Sequence, residues 1–315
     1  MKKILVTGGA GFVGSHLCDA LIKNNYVVCV DNMITGSKEN ISHLEGNKNF
    51  RFVNKDICDV DLMKTFSDIK FDEIYDMASP ASPVDYVEYP IETLLTGSMG
   101  VKHLLDIAVR DRAKILVAST SEIYGDPLEH PQKEEYWGNV NPIGVRSCYD
   151  EAKRFMEALT TAYMRKKKVN IRIVRIFNTY GPRMRLADGR VVPNFISQAL
   201  KNEDITVYGD GSQTRSFCYV SDLVEGLVKL MSVEVNTPVN LGNPHEQTII
   251  EFAQNIISIV GSKSRIKHTP LPLDDPQRRN PDISKAKKLL GWEPKVDLKT
   301  GILETVTYFK KKIHV

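Results

Sequence analysis

Tyr149 and Lys153 stand four residues apart in the run RSCYDEAK, a spacing that puts a phenol and an ammonium on one face of a helix. A free phenol titrates near ~10 and is a poor base at neutral pH, but a neighbouring cation favours its ionised form. Such a pair can take a proton from a hydroxyl. A buried tyrosine beside a snorkelling lysine would show the same spacing, so the surroundings decide. The apolar run from Ile115 reads as a buried strand whose end delivers Ser119, Thr120, Ser121 and Glu122. Placed over a nicotinamide, these groups form a hydride-transfer centre: Tyr149 exchanges the hydroxyl proton, Lys153 keeps the phenolate available and binds the nicotinamide ribose, and Thr120 hydrogen-bonds the developing carbonyl oxygen. A hydroxyl-rich cluster of purely structural use is the competing reading for Thr120.

The elements that must position this centre begin at the N-terminus. KKILVTGGAGFVGSHLCDALIKNNYVVCVDN alternates strand, glycine turn, helix and strand, with Gly8, Gly11 and Gly14 spaced as GxxGxxG and a helix over Ser15–Lys23. Glycines allow a sharp turn and close approach of a pyrophosphate, and the helix N-terminus, carrying Phe12 and Val13, offers unsatisfied N–H groups. Asp31, followed by Asn32, ends the second strand, where a carboxylate accepts from both hydroxyls of an adenosine ribose. A 2′-phosphate there would meet like charge, so NAD rather than NADP is expected.

A third strand over Phe50–Val53 leads to Asp56 and Ile57; Asp56 reads equally as a contact to an adenine edge or as a surface turn. A fourth, Asp72–Met77, leads into the stiff small-residue loop from Ala78 through Pro80 and Ser82, suited to cross over cofactor phosphates and substrate. A long helix over Thr93–Val109 and strands at Ile115–Ser119 and Asn170–Ile176 continue the alternation. The expected fold is α/β: a doubly wound Rossmann-type parallel sheet over residues 1–180, with a smaller, partly interleaved C-terminal substrate-binding lobe over 181–315.

With 315 residues and a net charge of +3, the chain can bury a large core but has no bias toward nucleic acid or an acidic membrane surface. Its five cysteines are scattered without CxxC spacing, no metal site is expected, and no apolar run approaches the ~20 residues of a membrane span. The first residues enter a strand directly, leaving no room for a signal peptide, so a soluble cytoplasmic protein is expected.

ASTSEIYGDPLEHPQKEEYWGNVNPIGVRSCYDEAKR, NTYGPRMRLADGRVVPNFISQAL, VYGDGSQTRSF, PVNLGNP and DDPQRRNPDI together resemble the extended short-chain dehydrogenase/reductases over almost the whole chain, and within them the UDP-glucuronic acid decarboxylases. YxxxK specifies only the superfamily; the STSE, HPQ, YWGNVNPIG and SCYDE wording is narrower. The resemblance implies that UDP-glucuronate is oxidised at C4 by NAD, loses its carboxylate as CO₂, is protonated at C5 and is reduced again by the retained NADH to UDP-xylose. It implies that Tyr149 is the C4 acid/base with Thr120 as partner, that Glu122 organises the ring or water near C5, and that Arg279 assists the C5 proton or holds the carboxylate. Its neighbour Arg278 is the alternative. It further implies that Asn178, Arg185, Val192, Tyr208 and Arg215 border the uridine diphosphate and sugar.

Ser121 stands where a dehydratase would carry an aspartate to protonate a departing hydroxyl; decarboxylation expels no hydroxide. Leu95 and Gly97 replace the family's usual lysine and asparagine, Met77 follows Asp76 where His-Leu is common, and Ala152 replaces a usual glycine. Family members pair as homodimers through two long helices, here near 93–109 and 149–165, and Leu159, Tyr163 and Met164 are apolar residues beyond those one sheet contact needs. Two other functions fit less well: a UDP-hexuronate 4-epimerase, and a nucleotide-sugar or NAD-binding regulatory protein without turnover.

Overall fold

The structure, a computed structural model, describes residues 1–271 and 278–313. The strands and helices in chain order are β1 Lys3–Thr7, α1 Phe12–Leu21, β2 Tyr26–Asp31, β3 Phe50–Asn54, α2 Leu62–Thr65, β4 Glu73–Asp76, α3 Pro83–Glu88, α4 Pro90–Leu95, α5 Val101–Asp111, β5 Lys114–Thr120, α6 Ser147–Lys167 and β6 Asn170–Ile176. There follow β7 Thr179–Tyr180, α7 Val191–Leu200, β8 Ile205–Tyr208, β9 Thr214–Ser216, β10 Cys218–Tyr219, α8 Val220–Ser232, β11 Val239–Leu241, β12 Glu246–Thr248, α9 Ile249–Val260, β13 Ile266–Thr269, β14 Arg278–Arg279, α10 Ser284–Leu290 and α11 Leu298–Ile313.

Seven strands form one sheet in the order β11-β6-β5-β4-β1-β2-β3, parallel throughout. A parallel sheet is covered on both faces, so its strands read as apolar runs without polar alternation. Successive residues accordingly enter different cores: Ile4, Val6, Leu116 and Ala118 join one, with residues of α1, α7, α8, α9 and α11; Leu5, Ile115 and Val117 join the other, with residues of α5 and α6. β11 lies beyond residue 180 in the chain yet completes the sheet beside β6. The order reverses between β1 and β4, and the carboxyl ends of these strands and of β5 open one crevice, the usual ligand position in this topology.

The helix expected over Thr93–Val109 begins earlier, at Pro90, and is not uniformly α-helical: Thr96–Gly100 forms a π-type segment between α4 and α5. Periodicity could not reveal this, because the apolar spacing survives one widened turn. The segment lies against α6 at a close approach, where a Cβ on Gly97 would sit 2.8 Å from the Ala152 Cβ and 2.8 Å from its carbonyl oxygen. The two departures from the family's usual residues therefore share one contact. Gly97→Asn is expected to destabilise by about 1–3 kcal/mol through overpacking, and Ala152→Gly in the same chain to recover part of the loss non-additively. Thermal unfolding of the two single variants and the double variant checks this; strict additivity would refute the coupling.

The helix expected over Ser15–Lys23 likewise starts earlier, at Phe12. Leu159, Tyr163 and Met164 pack against the molecule's own second core. The exposed apolar residues of this region instead include Ile91, Leu94, Leu95, Met99 and Phe155. Among the described residues no helix is long and apolar enough to cross a membrane.

Candidate active site

A cavity of about 910 Å³ runs along the carboxyl ends of the strands, and every site residue singled out from the sequence lines it. Arg278 does not, and is exposed, whereas Arg279 is buried. The DDPQ part of the tail motif lies outside the described residues.

At one end the glycine turn is built against its neighbours. Gly8 has φ +63°, and a Cβ there would lie 2.7 Å from the Met77 carbonyl oxygen; a Cβ on Gly14 would lie 2.1 Å from the Gly8 oxygen. Among the described residues no side chain caps α1, so its first N–H groups are left to whatever enters the cavity. Asp31 accepts from Ala10 N at 3.0 Å and Met33 N at 2.8 Å. Burial raises its carboxyl above the ordinary value against these N–H groups, a bias that hydroxyl donors from a ribose would reverse. Asn32 donates to Asp56 at 2.7 Å, and Asp56 also accepts from Cys58 N at 2.7 Å, so Asp56 is at least partly a turn-forming residue. A close backbone cradle, an uncapped helix start and a carboxylate ending β2 fit a dinucleotide.

β5 ends at Thr120, whose hydroxyl caps the following turn by accepting from Glu122 N at 3.2 Å. On α6, Tyr149 and Lys153 both face the cavity. Burial pushes the Tyr149 phenol up to about 12, and the hydrogen-bonding Thr120 hydroxyl pulls the other way. Lys153 donates to the Ala118 carbonyl at 2.8 Å, with its nitrogen 5.7 Å from the Tyr149 ring centre. Burial lowers its ammonium to about 8 against the field of Asp76. The lysine thus braces the strand end that carries Thr120 and places its nitrogen near the phenol ring.

Glu122 is half-buried between two guanidiniums: Arg279 donates to one carboxylate oxygen and Arg146 to the other. Burial alone would raise this carboxyl, but the two arginines outweigh it and hold Glu122 well below the usual carboxylate range. Arg279 reaches the site from β14, which pairs in parallel with β9 so that Arg279 stands opposite Arg215. The tail is fixed by Gln132, whose N–H donates to Asn280 O at 2.9 Å and whose side-chain oxygen accepts from Asn280 N at 2.8 Å. Asn240 ties Gln132 O to the sheet at 3.0 Å.

The remaining residues are partly engaged. Ser82 caps α3 and donates to Asp85 at 2.7 Å, and Arg185 is ion-paired with the same Asp85. Arg215 donates to Thr214 O at 2.8 Å, Val192 is buried, and Tyr208 is 42% exposed. The Asn178 carbonyl accepts from Cys218 N at 2.8 Å.

Four cavity residues were not expected from sequence. Tyr86 stacks on Tyr149 with ring centres 5.1 Å apart and planes at 13°; Asp85 holds Arg185; Arg190, paired with Asp188, acts electrostatically on Tyr149; and Arg146 holds Glu122. Only Arg146 carried a local signal: three residues before Tyr149, it falls on the same helical face.

Asp150 is buried next to Tyr149, and its Oδ1 has no hydrogen-bond partner among the described residues. Burial and then Glu122 push its carboxyl from an ordinary 3.8 up to about 7, against Arg146 and Arg279. A raised carboxyl favours the folded chain while protonated, so this contribution is present below 3.8 and lost as pH rises through about 7. Asp150→Asn is expected to flatten the decline in melting temperature across that window; an unchanged profile would refute the assignment.

A family model described as GDP-mannose 4,6 dehydratase matches residues 5–305. The chain is 55% identical over 313 residues to UDP-glucuronic acid decarboxylase 1 of Danio rerio, covering 99% of this chain and 73% of that protein. Among solved structures it is similar to a UDP-glucose 4-epimerase of Thermotoga maritima with UDP-glucose, at 32% identity, TM-score 0.91 and 99% of each chain. A UDP-glucuronic acid 4-epimerase of Bacillus cereus, in complex with UDP-glucuronic acid and NAD, aligns at 31% identity and TM-score 0.89 over 98% of this chain and 99% of its own.

Proposed function

From the premise that the chain belongs to the UDP-glucuronic acid decarboxylases, a family of extended short-chain dehydrogenases/reductases, we propose that it converts UDP-glucuronate to UDP-xylose and CO₂ with NAD as its cofactor. The observation that carries this reading is the Glu122 carboxylate held by Arg146, at the N-terminal end of the helix that bears Tyr149, and by Arg279 on the tail strand. Bound at the glycine turn, NAD supplies the oxidant at C4 and, once reduced, the reductant that restores it.

Gly8, Gly11, Phe12, Val13 and Gly14 receive the pyrophosphate, Asp31 the adenosine ribose, and Asn32, Asp56, Ile57 and Ala78 flank the dinucleotide. Tyr149 takes the C4 hydroxyl proton and later returns it, with Thr120 hydrogen-bonding the same oxygen and Lys153 favouring the phenolate. Oxidised at C4, the sugar is a β-keto acid whose carboxylate leaves as its electrons enter the ketone. Glu122 and Arg279 orient the ring and the group that protonates C5, the guanidinium stabilising enolate charge. Pro80, Ser82, Asn178, Arg185, Val192, Tyr208 and Arg215 border the nucleotide and sugar.

Incubation with UDP-glucuronate should release one CO₂ per sugar and yield a product lighter by that mass. Retention of carbon with inversion at C4 would instead identify a 4-epimerase. The exposed apolar residues Ile91, Leu94, Leu95, Met99 and Phe155 support a homodimer paired through α4, α5 and α6.

A further inference from the structure

Glu122 is one negative charge between two positive ones, and the two arginines are not equivalent. Arg279 is the more enclosed: its side chain is 3% exposed, Nη1 is on Glu122, Nη2 donates to Gly125 O at 2.9 Å, and Nε is buried without a partner among the described residues. Arg146 is 19% exposed on its side chain, lines the cavity and gives only Nη2 to Glu122. Its Nε and Nη1 have no partner among the described residues and are not buried atoms. The fork lies 5.8 Å from the centre of the Tyr86 ring, which is itself stacked at 5.1 Å on Tyr149. A half-used, solvent-reachable guanidinium thus stands beside the phenol that faces C4.

We propose that Arg146 binds the carboxylate of the sugar and is the residue by which the site selects an acidic hexose, a statement that rests on UDP-glucuronate being the substrate. The carboxylate is carried by C5, the carbon next to C4, so a ring whose C4 oxygen meets Tyr149 directs it to this neighbourhood. A planar fork with two free N–H groups suits a carboxylate better than an ammonium does. Sharing with Glu122 has a chemical use. A cation that gripped the carboxylate alone would oppose its departure as neutral CO₂; one already half-neutralised by Glu122 orients it with a weaker hold. Recognition then acts alike on ground state and on approach to decarboxylation, so Arg146 governs binding more than turnover.

The test is calorimetric titration with UDP-glucuronate and with UDP-xylose, which lacks the carboxylate, in a Tyr149→Phe background that blocks consumption. Adding Arg146→Met should weaken UDP-glucuronate roughly 10- to 100-fold, the loss of a hydrogen-bonded charged contact, and leave UDP-xylose unchanged. Arg146→Lys should recover part of the loss. Equal weakening of both ligands, or weakening of neither, overturns the proposal and leaves the functional reading intact. If the Tyr149→Phe protein itself binds neither UDP-sugar, the functional reading fails and the proposal with it. Should Arg146→Met not fold, Arg146→Lys carries the same comparison.

Discussion

Tyr149→Phe is expected to lower kcat by about 10³-fold, mid-way in the range for a positioned proton transfer, while UDP-glucuronate still binds. The substitution is clean because it keeps the ring. The 5.1 Å stack on Tyr86 and the burial of the side chain persist, and only the oxygen hydrogen-bonded by Thr120 is lost. With the phenol pushed up to about 12, it is overwhelmingly protonated near neutrality, so the proposed acid/base role needs a cation nearby, and the Lys153 nitrogen stands 5.7 Å from the ring centre. Lys153 is held at 2.8 Å on the Ala118 carbonyl, one strand position before the Ser119-Thr120 end, so one residue links strand end and phenol. Steady-state turnover together with calorimetric binding separates the outcomes. Turnover close to the parent's would remove the acid/base role from Tyr149.

What the sequence made legible were features whose cause is local. Gly8 and Gly14 stand where any side chain would strike backbone, Asp31 ends a strand, and Tyr149 and Lys153 share a helical face; each is written in a few consecutive residues. The parallel sheet was legible for the same reason, as runs such as Ile4–Thr7 and Ile115–Ser119 are apolar without alternation. The π-type segment was not, because one widened turn leaves the apolar spacing intact and its neighbour Ala152 lies some fifty residues further along the chain. Tyr86, Asp85 and Arg190 belong to loops and short helices whose placement follows from packing alone. Ser82 and Arg185 both hold Asp85, a shared contact that no local spacing announces. Arg279 was reached only through resemblance, since a two-residue strand pairing with β9 carries no periodicity to read.

Arg279→Met should cost far more than Arg278→Met, in stability and in turnover. The first residue is buried, and its loss strands the Gly125 carbonyl and leaves Glu122 with Arg146 as its hydrogen-bonded cation among the described residues. Breaking a buried pair by removing one partner costs about 3–5 kcal/mol, and turnover should fall at least ~100-fold, the scale for losing one donor that stabilises developing charge. The second residue is exposed on the opposite side of the same short strand, so its removal should leave melting temperature and turnover near the parent's. Acid titration adds a readout that general damage would not move. Glu122 is held below the ordinary carboxylate range, so its contribution is present above the unfolded value and lost as pH falls through the lower folded one. Without Arg279 the folded value rises, and acid unfolding should begin at higher pH. Equal effects of the two substitutions, or an acid midpoint that stays where it was, would show that the tail strand supports the fold without supplying the charge that Glu122 leans on.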